Sequence, residues 1–303
     1  MPSITLSEIA KSFGSAEPLN EHVRQFYASR DWGYEEIMDE DRLISGLREF
    51  LVTDSQKVGA PDRKDVWLKG WQENLDAFQK DGDEVELVPR FVRPNQIVRW
   101  RQKFIQPSNP NFELDFIELF RKWIAATLMS PYDSIYEFGC GSGYNLTAIN
   151  KVIPNKKMYG CDFVQSSVDL VDLIADETGC DLRGVLFDMT DPDFDLDIDP
   201  RSCIFTFGAI EQIPGKFKNF VGYLRQKKPA LCMHIEPTVE LYDPSNRADQ
   251  TAIEFHKQRG YTTGFLPHLQ ELDKAGEISL IKVHRMHFGS LRMEGYNLII
   301  WKP

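Results

Sequence analysis

The stretch YEFGCGSGYNLTAI, from Tyr136 to Ile149, sets glycines at positions 139, 141 and 143 between an apolar run and a helix-like segment. Glycines in such a turn let the backbone approach a ligand closely, and the free N–H groups that open a helix favour an anionic group. A nucleotide is the natural ligand for this device. The spacing is G-x-G-x-G, however, with Tyr144 where a dinucleotide fingerprint needs its third glycine, and no P-loop lysine follows. Residues able to move a proton gather further along the chain. Glu211 lies in GAIEQIP, His234 and Glu236 in MHIEPTVELYD, and His256 in IEFHKQRGY, where Arg259 adds a cation. His234 and Glu236, two residues apart on a strand-like run, share one face, so a single pocket can contain both as acid and base. The competing reading for each histidine is a core imidazole satisfied by a backbone carbonyl. Two histidines with Glu236 also make a metal-ligand inventory, but the spacing specifies no coordination geometry and no metal is expected. Arg259, Arg285 and Arg292 can hold a carboxylate or phosphate, or can pair on the surface.

Glu137 stands two residues before the first glycine, and EFGCGSG resembles motif I of the class I, Rossmann-like S-adenosylmethionine-dependent methyltransferases. The resemblance continues at matching intervals. Asp162 in GCDFVQSS resembles the acidic residue that accepts hydrogen bonds from the two ribose hydroxyls, a task suited to an acceptor-only carboxylate. Phe163 follows where the family places an apolar face against adenine. Asp188 and Met189 in LFDMTD resemble the pair that recognises the adenine amine and ring edge, and FTFGAIEQIP, with Phe207 and Gly208, resembles motif IV, whose backbone passes the amino-acid end of the cofactor. Taken singly, Asp162 reads as a helix cap near Ser166 and Asp188 as a turn aspartate; their joint spacing favours the cofactor roles. The resemblance covers residues 113 to 303. It implies S-adenosyl-L-methionine as cofactor, S-adenosyl-L-homocysteine as product, and cofactor-binding roles for Glu137, Gly139, Gly141, Gly143, Asp162, Phe163, Asp188, Met189, Phe207 and Gly208. Glu211, His234, Glu236 and His256 are the catalytic candidates.

The elements that must position these residues are legible from about Asp133 onward. Apolar β-like runs alternate with helix-like stretches, the pattern of a mostly parallel sheet covered on both faces. The strand expectations are 134–138, 157–163, 184–188, 203–208 and 230–237, followed by 278–289 and 295–303 as an antiparallel hairpin across SLRME. Helices are expected at 144–153, 166–177, 216–226 and 250–257 and over LPHLQELDKAG, with Ser166 and Ser167 capping the second and Gly260 ending the fourth. A strongly amphipathic helix at 113–129 leads into the first strand. The fold class is thus α/β, a doubly wound, mostly parallel seven-stranded sheet with an antiparallel C-terminal hairpin and a helical N-terminal cap. The cap is assigned to residues 1–110 and the Rossmann-like domain to 111–303. In the cap, 17–30, 35–52 and 62–80 read as helices, prolines at 89 and 94 break VELVPRFVRP, and another short helix is expected near 95–105. Four of the six tryptophans, Trp32, Trp67, Trp71 and Trp100, lie there, as a cap's own core or as the lining of a pocket.

At 303 residues, with 42% hydrophobic and 27% charged residues, the chain is long enough for a substantial core and has ordinary globular composition. A formal net charge of -11 disfavours extended contact with a phosphate backbone, and the basic stretch from Arg90 to Phe104 reads as a solvated helix face. No apolar run approaches a membrane span, MPSITLSEIA lacks a secretory pattern, and the five widely spaced cysteines form no framework, so a cytoplasmic location without nucleic-acid or membrane partners is expected. The expected activity is methyl transfer to O or N of a small-molecule acceptor by in-line displacement. A protein or peptide methyltransferase and a non-catalytic S-adenosylmethionine-binding module are the alternatives, with an NAD-dependent oxidoreductase more distant.

Overall fold

Side-chain caps set the helix starts in the first hundred residues, because Ser, Thr, Asp and Asn satisfy amides that the helix leaves free. The computed structural model describes residues 1–58, 63–90 and 92–303. Helix α1 (Leu6–Ser12) opens on a reciprocal capping box of Thr5 and Glu8. Asn20 caps α2 (Glu21–Ala28), strand β1 (Tyr34–Glu36) follows, and Asp39 caps α3 (Glu40–Thr53). These caps explain why the helices begin later than the expected 17 and 35. Helix α4 (Arg63–Asp81) fits the third expectation, apart from position 62, which lies outside the described residues.

The helix expected near 95–105 is not there. Instead β2 (Val98–Trp100) and β3 (Lys103–Pro107) form a hairpin whose connecting residues, Arg101 and Gln102, have φ of 52° and 63°. Two consecutive left-handed residues suit a tight hairpin turn and break a right-handed helix. Nor does Arg99 sit on a solvated face. It is fully buried, donating to the carbonyl oxygens of Ala248 (2.6 Å) and Leu291 (3.1 Å) and to the Thr251 hydroxyl (2.7 Å).

Helix α5 (Phe112–Ile124) runs on as a π-type turn to Met129 and leads into β4 (Ser134–Phe138). Then come α6 (Tyr144–Asn150), β5 (Lys157–Asp162), α7 (Gln165–Thr178), β6 (Leu182–Leu186), β7 (Ser202–Phe207), α8 (Phe217–Lys227) and β8 (Leu231–Glu236). Helices α9 (Arg247–Arg259) and α10 (Phe265–Lys274) precede β9 (Ser279–His284), β10 (Phe288–Ser290) and β11 (Asn297–Lys302). The seven-stranded sheet has the order β6-β5-β4-β7-β8-β11-β9, with β11 antiparallel to both neighbours. Every residue of β4 and β8 is buried, as both-face coverage requires. The strand order reverses between β4 and β7, and such a switch point opens a crevice at the carboxyl ends of the strands.

Three local expectations are corrected. Strand β6 starts two residues earlier than 184, which leaves Asp188 and Met189 beyond its end. Ser166 and Ser167 are buried inside α7 and do not cap it. And although β9 and β11 do pair antiparallel, no tight turn joins them: the chain leaves the sheet after His284, and β10 completes a second sheet in the order β1-β3-β2-β10. A single apolar core joins Phe13, Val23 and Trp32 of the N-terminal region to Ile135, Phe205 and Met233 of the large sheet.

Candidate functional site

The candidate site at this switch point begins where β4 ends. Gly139, Gly141 and Gly143 all have positive φ (76°, 54° and 72°), a region that only glycine occupies freely. Asp162, at the end of β5, holds this turn: Oδ2 accepts from the Gly141 amide (2.9 Å) and Oδ1 from the Val164 amide (3.0 Å). Its carboxyl is pushed up to about 6 by burial, against the pull of those amides. Phe163 beside it is exposed. Asp188 accepts from the Thr190 amide (2.7 Å), and the methyl of Met189 lies 3.4 Å from where a side chain on Gly139 would begin. The turn is covered from above by α4 and the 3-10 turn that follows it. A methyl group on Gly141 would lie 2.6 Å from Cζ2 of Trp71, which stacks on Trp67, and the Ser142 hydroxyl donates to the Leu87 carbonyl (2.5 Å).

Glu137 is completely buried. Its Oε1 accepts from Asn145 Nδ2 (2.7 Å) and its Oε2 has no partner in the protein. Burial pushes this carboxyl up to about 8. Arg121, on α5, donates from Nη1 to Asn145 Oδ1 (2.9 Å) and stacks over Tyr144 at 4.2 Å.

Across the switch point, β7 ends at Phe207 and turns at Gly208 (φ 65°). Glu236 organises this second turn, accepting from the Thr206 hydroxyl (2.6 Å) and the amides of Ala209 (3.1 Å) and Glu211 (3.4 Å). Behind it runs a chain of hydrogen bonds inside the sheet. Trp301 Nε1 donates to His234 Nε2 (2.9 Å), which leaves the imidazole proton on Nδ1, 2.9 Å from Thr206 Oγ1, and Thr206 in turn donates to Glu236. Burial pushes His234 down to about 3 and Glu236 up to about 7. His234 is therefore a neutral imidazole with both nitrogens engaged and no exposure, and the structure does not bring it to the crevice. The sequence pattern misleads here because β8 is covered on both faces, so sharing a face means sharing the interior.

His256 is likewise buried. Its Nε2 lies 3.1 Å from the Thr262 carbonyl, and Thr262 in turn binds the backbone of Glu211 (3.0 Å) and Ile210 (2.6 Å). It supports the loop under Glu211 and does not face the crevice. Glu211, on the short turn after β7, accepts from Gln212 Nε2 (2.7 Å). The arginines raised as substrate anchors are committed elsewhere: Arg259 to Asp54 (2.5 Å), Arg285 to Asp249 and Glu294 (2.7 Å each), and Arg292 over the ring of Phe50.

Sequence reasoning missed three groups. Arg121 carried one signal, a cation in a strongly apolar helix. Tyr296, whose hydroxyl donates to the buried Glu113 (2.8 Å) and whose ring packs 5.7 Å from Phe207, carried none. Trp71 was counted among the cap aromatics without a target. Among the described residues no cluster of three or more His, Cys, Asp or Glu can hold a metal ion, and no helix is long and apolar enough to cross a membrane.

A glycine turn after the first sheet strand, carboxylates at the next strand ends and one antiparallel strand inside the far edge complete the architecture expected from the resemblance. The fold is a doubly wound, Rossmann-like α/β sheet. No family model matches the sequence, and no curated protein matches it. Solved structures similar to it include a geranyl diphosphate methyltransferase in complex with its diphosphate and sinefungin (11% identity, 80% of this chain and 99% of that one, TM-score 0.49). A SAM dependent methyltransferase from Aquifex aeolicus matches at 15% identity over 58% of this chain and 84% of that one, TM-score 0.41. The pyocyanin biosynthetic protein PhzM matches at 15% identity and TM-score 0.46, over 62% of this chain and little more than half, 56%, of PhzM itself.

Proposed function

We propose that the protein is an S-adenosylmethionine-dependent methyltransferase acting on O or N of a small-molecule acceptor. The observation that carries this reading is Glu137 Oε2, a buried carboxylate oxygen without a partner beside a three-glycine turn. A buried acceptor left unmatched costs about 1–3 kcal/mol, and a cationic ligand at this place offsets that cost. The surrounding residues fit the same group. Asp162 fixes the turn and retains free acceptor lone pairs, while Phe163 and Met189 supply apolar surface at neighbouring strand ends.

The bound cofactor supplies an electrophilic methyl on a sulfonium. What the chain must add is alignment of the acceptor and exclusion of water. Glu236 does the first indirectly, by pinning the turn that carries Glu211. The buried His234 and His256 leave Glu211 as the remaining candidate of the original four for contact with an acceptor, with Tyr296 beside Phe207 as an addition. The cover formed by α4 suits an enclosed small acceptor better than a polymer. Incubation with methyl-labelled cofactor and fractionated metabolites tests this reading: label is expected in a small-molecule fraction, and label found only in a peptide or nucleic-acid fraction refutes the acceptor class.

A further inference from the structure

A cavity of about 400 Å3 opens between α1, the β2–β3 turn and the segment that joins β9 to β10. None of its lining residues belongs to the glycine turn or to the turn after β7. A run of ring contacts, Trp100 to Phe288 (centroids 6.4 Å apart), Phe288 to Tyr296 (5.9 Å) and Tyr296 to Phe207 (5.7 Å), separates it from the switch point. Among the described residues five non-glycine residues have positive φ, and three of them, Arg101 (52°), Gln102 (63°) and His287 (55°), line this one cavity. Left-handed angles are costly for such side chains, and a two-residue hairpin turn forms more readily from Asn and Gly. Residues held against that cost gather at ligand sites, where their side chains are needed. The walls are braced by three bonds: Arg101 Nη1 donates to Glu8 (3.0 Å), the Arg101 amide to the His287 carbonyl (2.8 Å) and the Ser12 hydroxyl to the Met286 carbonyl (2.8 Å).

The lining selects the ligand's charge. Glu8 is the single acid among the described lining residues, and its carboxylate already accepts from the Thr5 amide and hydroxyl (2.9 Å each) as well as from Arg101. The cations have donors to spare. Among the described residues the Lys11 ammonium has no ion pair or hydrogen bond, and Arg101 commits only Nη1, which leaves the Nε and Nη2 edge of its guanidinium. His287, pushed down to about 4 by burial, is neutral at ordinary pH, and its buried Nδ1 has no partner in the protein. It therefore adds hydrogen-bonding capacity without charge. Trp100 and Met286, both buried, make the remaining wall apolar. We propose that this cavity is a second ligand site, for a small aromatic carboxylate, with the anionic end on Lys11 and Arg101 and the ring against Trp100 and Met286. A planar carboxylate matches two N–H groups on one guanidinium edge, whereas an inorganic anion would leave the apolar wall uncovered. The volume falls within the range of small-molecule sites, about 300–1,000 Å3. The site is independent of the methyl-donor reading.

Titration with phenylacetate, followed by the indole N–H signal of Trp100 in two-dimensional NMR of the full chain, tests this, with phenylacetamide as the uncharged isostere and acetate as the charge without the ring. Trp100→Phe assigns the signal. Phenylacetate is expected to shift it saturably, and phenylacetamide and acetate to bind about tenfold more weakly or less tightly still, the lower end of the range for a charge-assisted hydrogen bond. Lys11→Ala, at an exposed position, and Arg101→Asn, which keeps a residue tolerant of left-handed angles, are each expected to weaken phenylacetate about tenfold and to leave phenylacetamide unchanged. If phenylacetate leaves the Trp100 signal unmoved, the site is refuted, and that result needs no variant to fold. Equal affinity for phenylacetate and phenylacetamide would likewise overturn it, since the cavity would then recognise the ring and not the anion. Wild-type affinity for phenylacetate in both variants would remove Lys11 and Arg101 from the site and refute the proposal.

Discussion

Gly141→Ala adds a single methyl group at the point where the glycine turn meets its cover. Two costs follow from the geometry. A non-glycine residue at φ 54° is disfavoured by about 1–2 kcal/mol. The new carbon would also lie 2.6 Å and 2.7 Å from two atoms of the Trp71 ring, well inside van der Waals contact, so the indole must shift. Overpacking of that kind costs about 1–3 kcal/mol, for a total of about 2–5 kcal/mol. The two costs are separable by a double-mutant cycle with Trp71→Ala, since removing the indole relieves the clash and leaves the backbone cost. Urea denaturation of wild type, both single variants and the double variant measures it. Gly141→Ala is expected to cost about 1 kcal/mol or more less in the Trp71→Ala background than in wild type. Equal costs in both backgrounds would mean that Trp71 does not rest on the turn, and the enclosed-site argument would lose its cover.

Further expectations follow from the buried carboxylates and from His234. Glu137, with a folded-state pKa of about 8, binds its proton more tightly when folded than when unfolded, so its burial penalty is absent at low pH and grows as pH rises from the ordinary carboxylate range to about 8. Glu137→Gln is therefore expected to be more stable than wild type at pH 8, by about 2 kcal/mol or more, and to approach it near pH 5, as read by urea midpoints; a constant difference would contradict the assigned burial. His234→Ala breaks the chain from Trp301 to Glu236 and should lower stability by about 2–4 kcal/mol in a thermal melt, whereas a fully stable but inactive variant would restore His234 as a catalytic base. Asp54→Ala leaves Arg259 buried and uncompensated and should cost about 3–5 kcal/mol by the same melt.

The sheet was readable because its strands are short apolar runs punctuated by glycine and helix-capping signals, and the glycine turn was readable because Gly139, Gly141 and Gly143 need backbone angles that other residues avoid. The hairpin at β2 and β3 was not, because Arg101 and Gln102 carry no turn signature; their left-handed angles are held by tertiary contacts, among them the Gln102 bond to Asp249 (3.1 Å). His234 and Glu236 were placed on a common face, yet periodicity cannot say whether that face meets solvent or another layer. Arg121 and Asn145 meet across the neighbouring helices α5 and α6, 24 residues apart, a side-chain contact that no local pattern encodes.

The central claim is that the turn from Glu137 to Gly143 binds an adenosyl amino acid. Calorimetric titration of the wild type with S-adenosylhomocysteine and separately with NAD, repeated for Asp162→Ala, tests it most directly. Saturable binding of S-adenosylhomocysteine, none of NAD, and an affinity about tenfold to a hundredfold weaker in Asp162→Ala are expected. Binding of NAD without S-adenosylhomocysteine, or of neither, would contradict it.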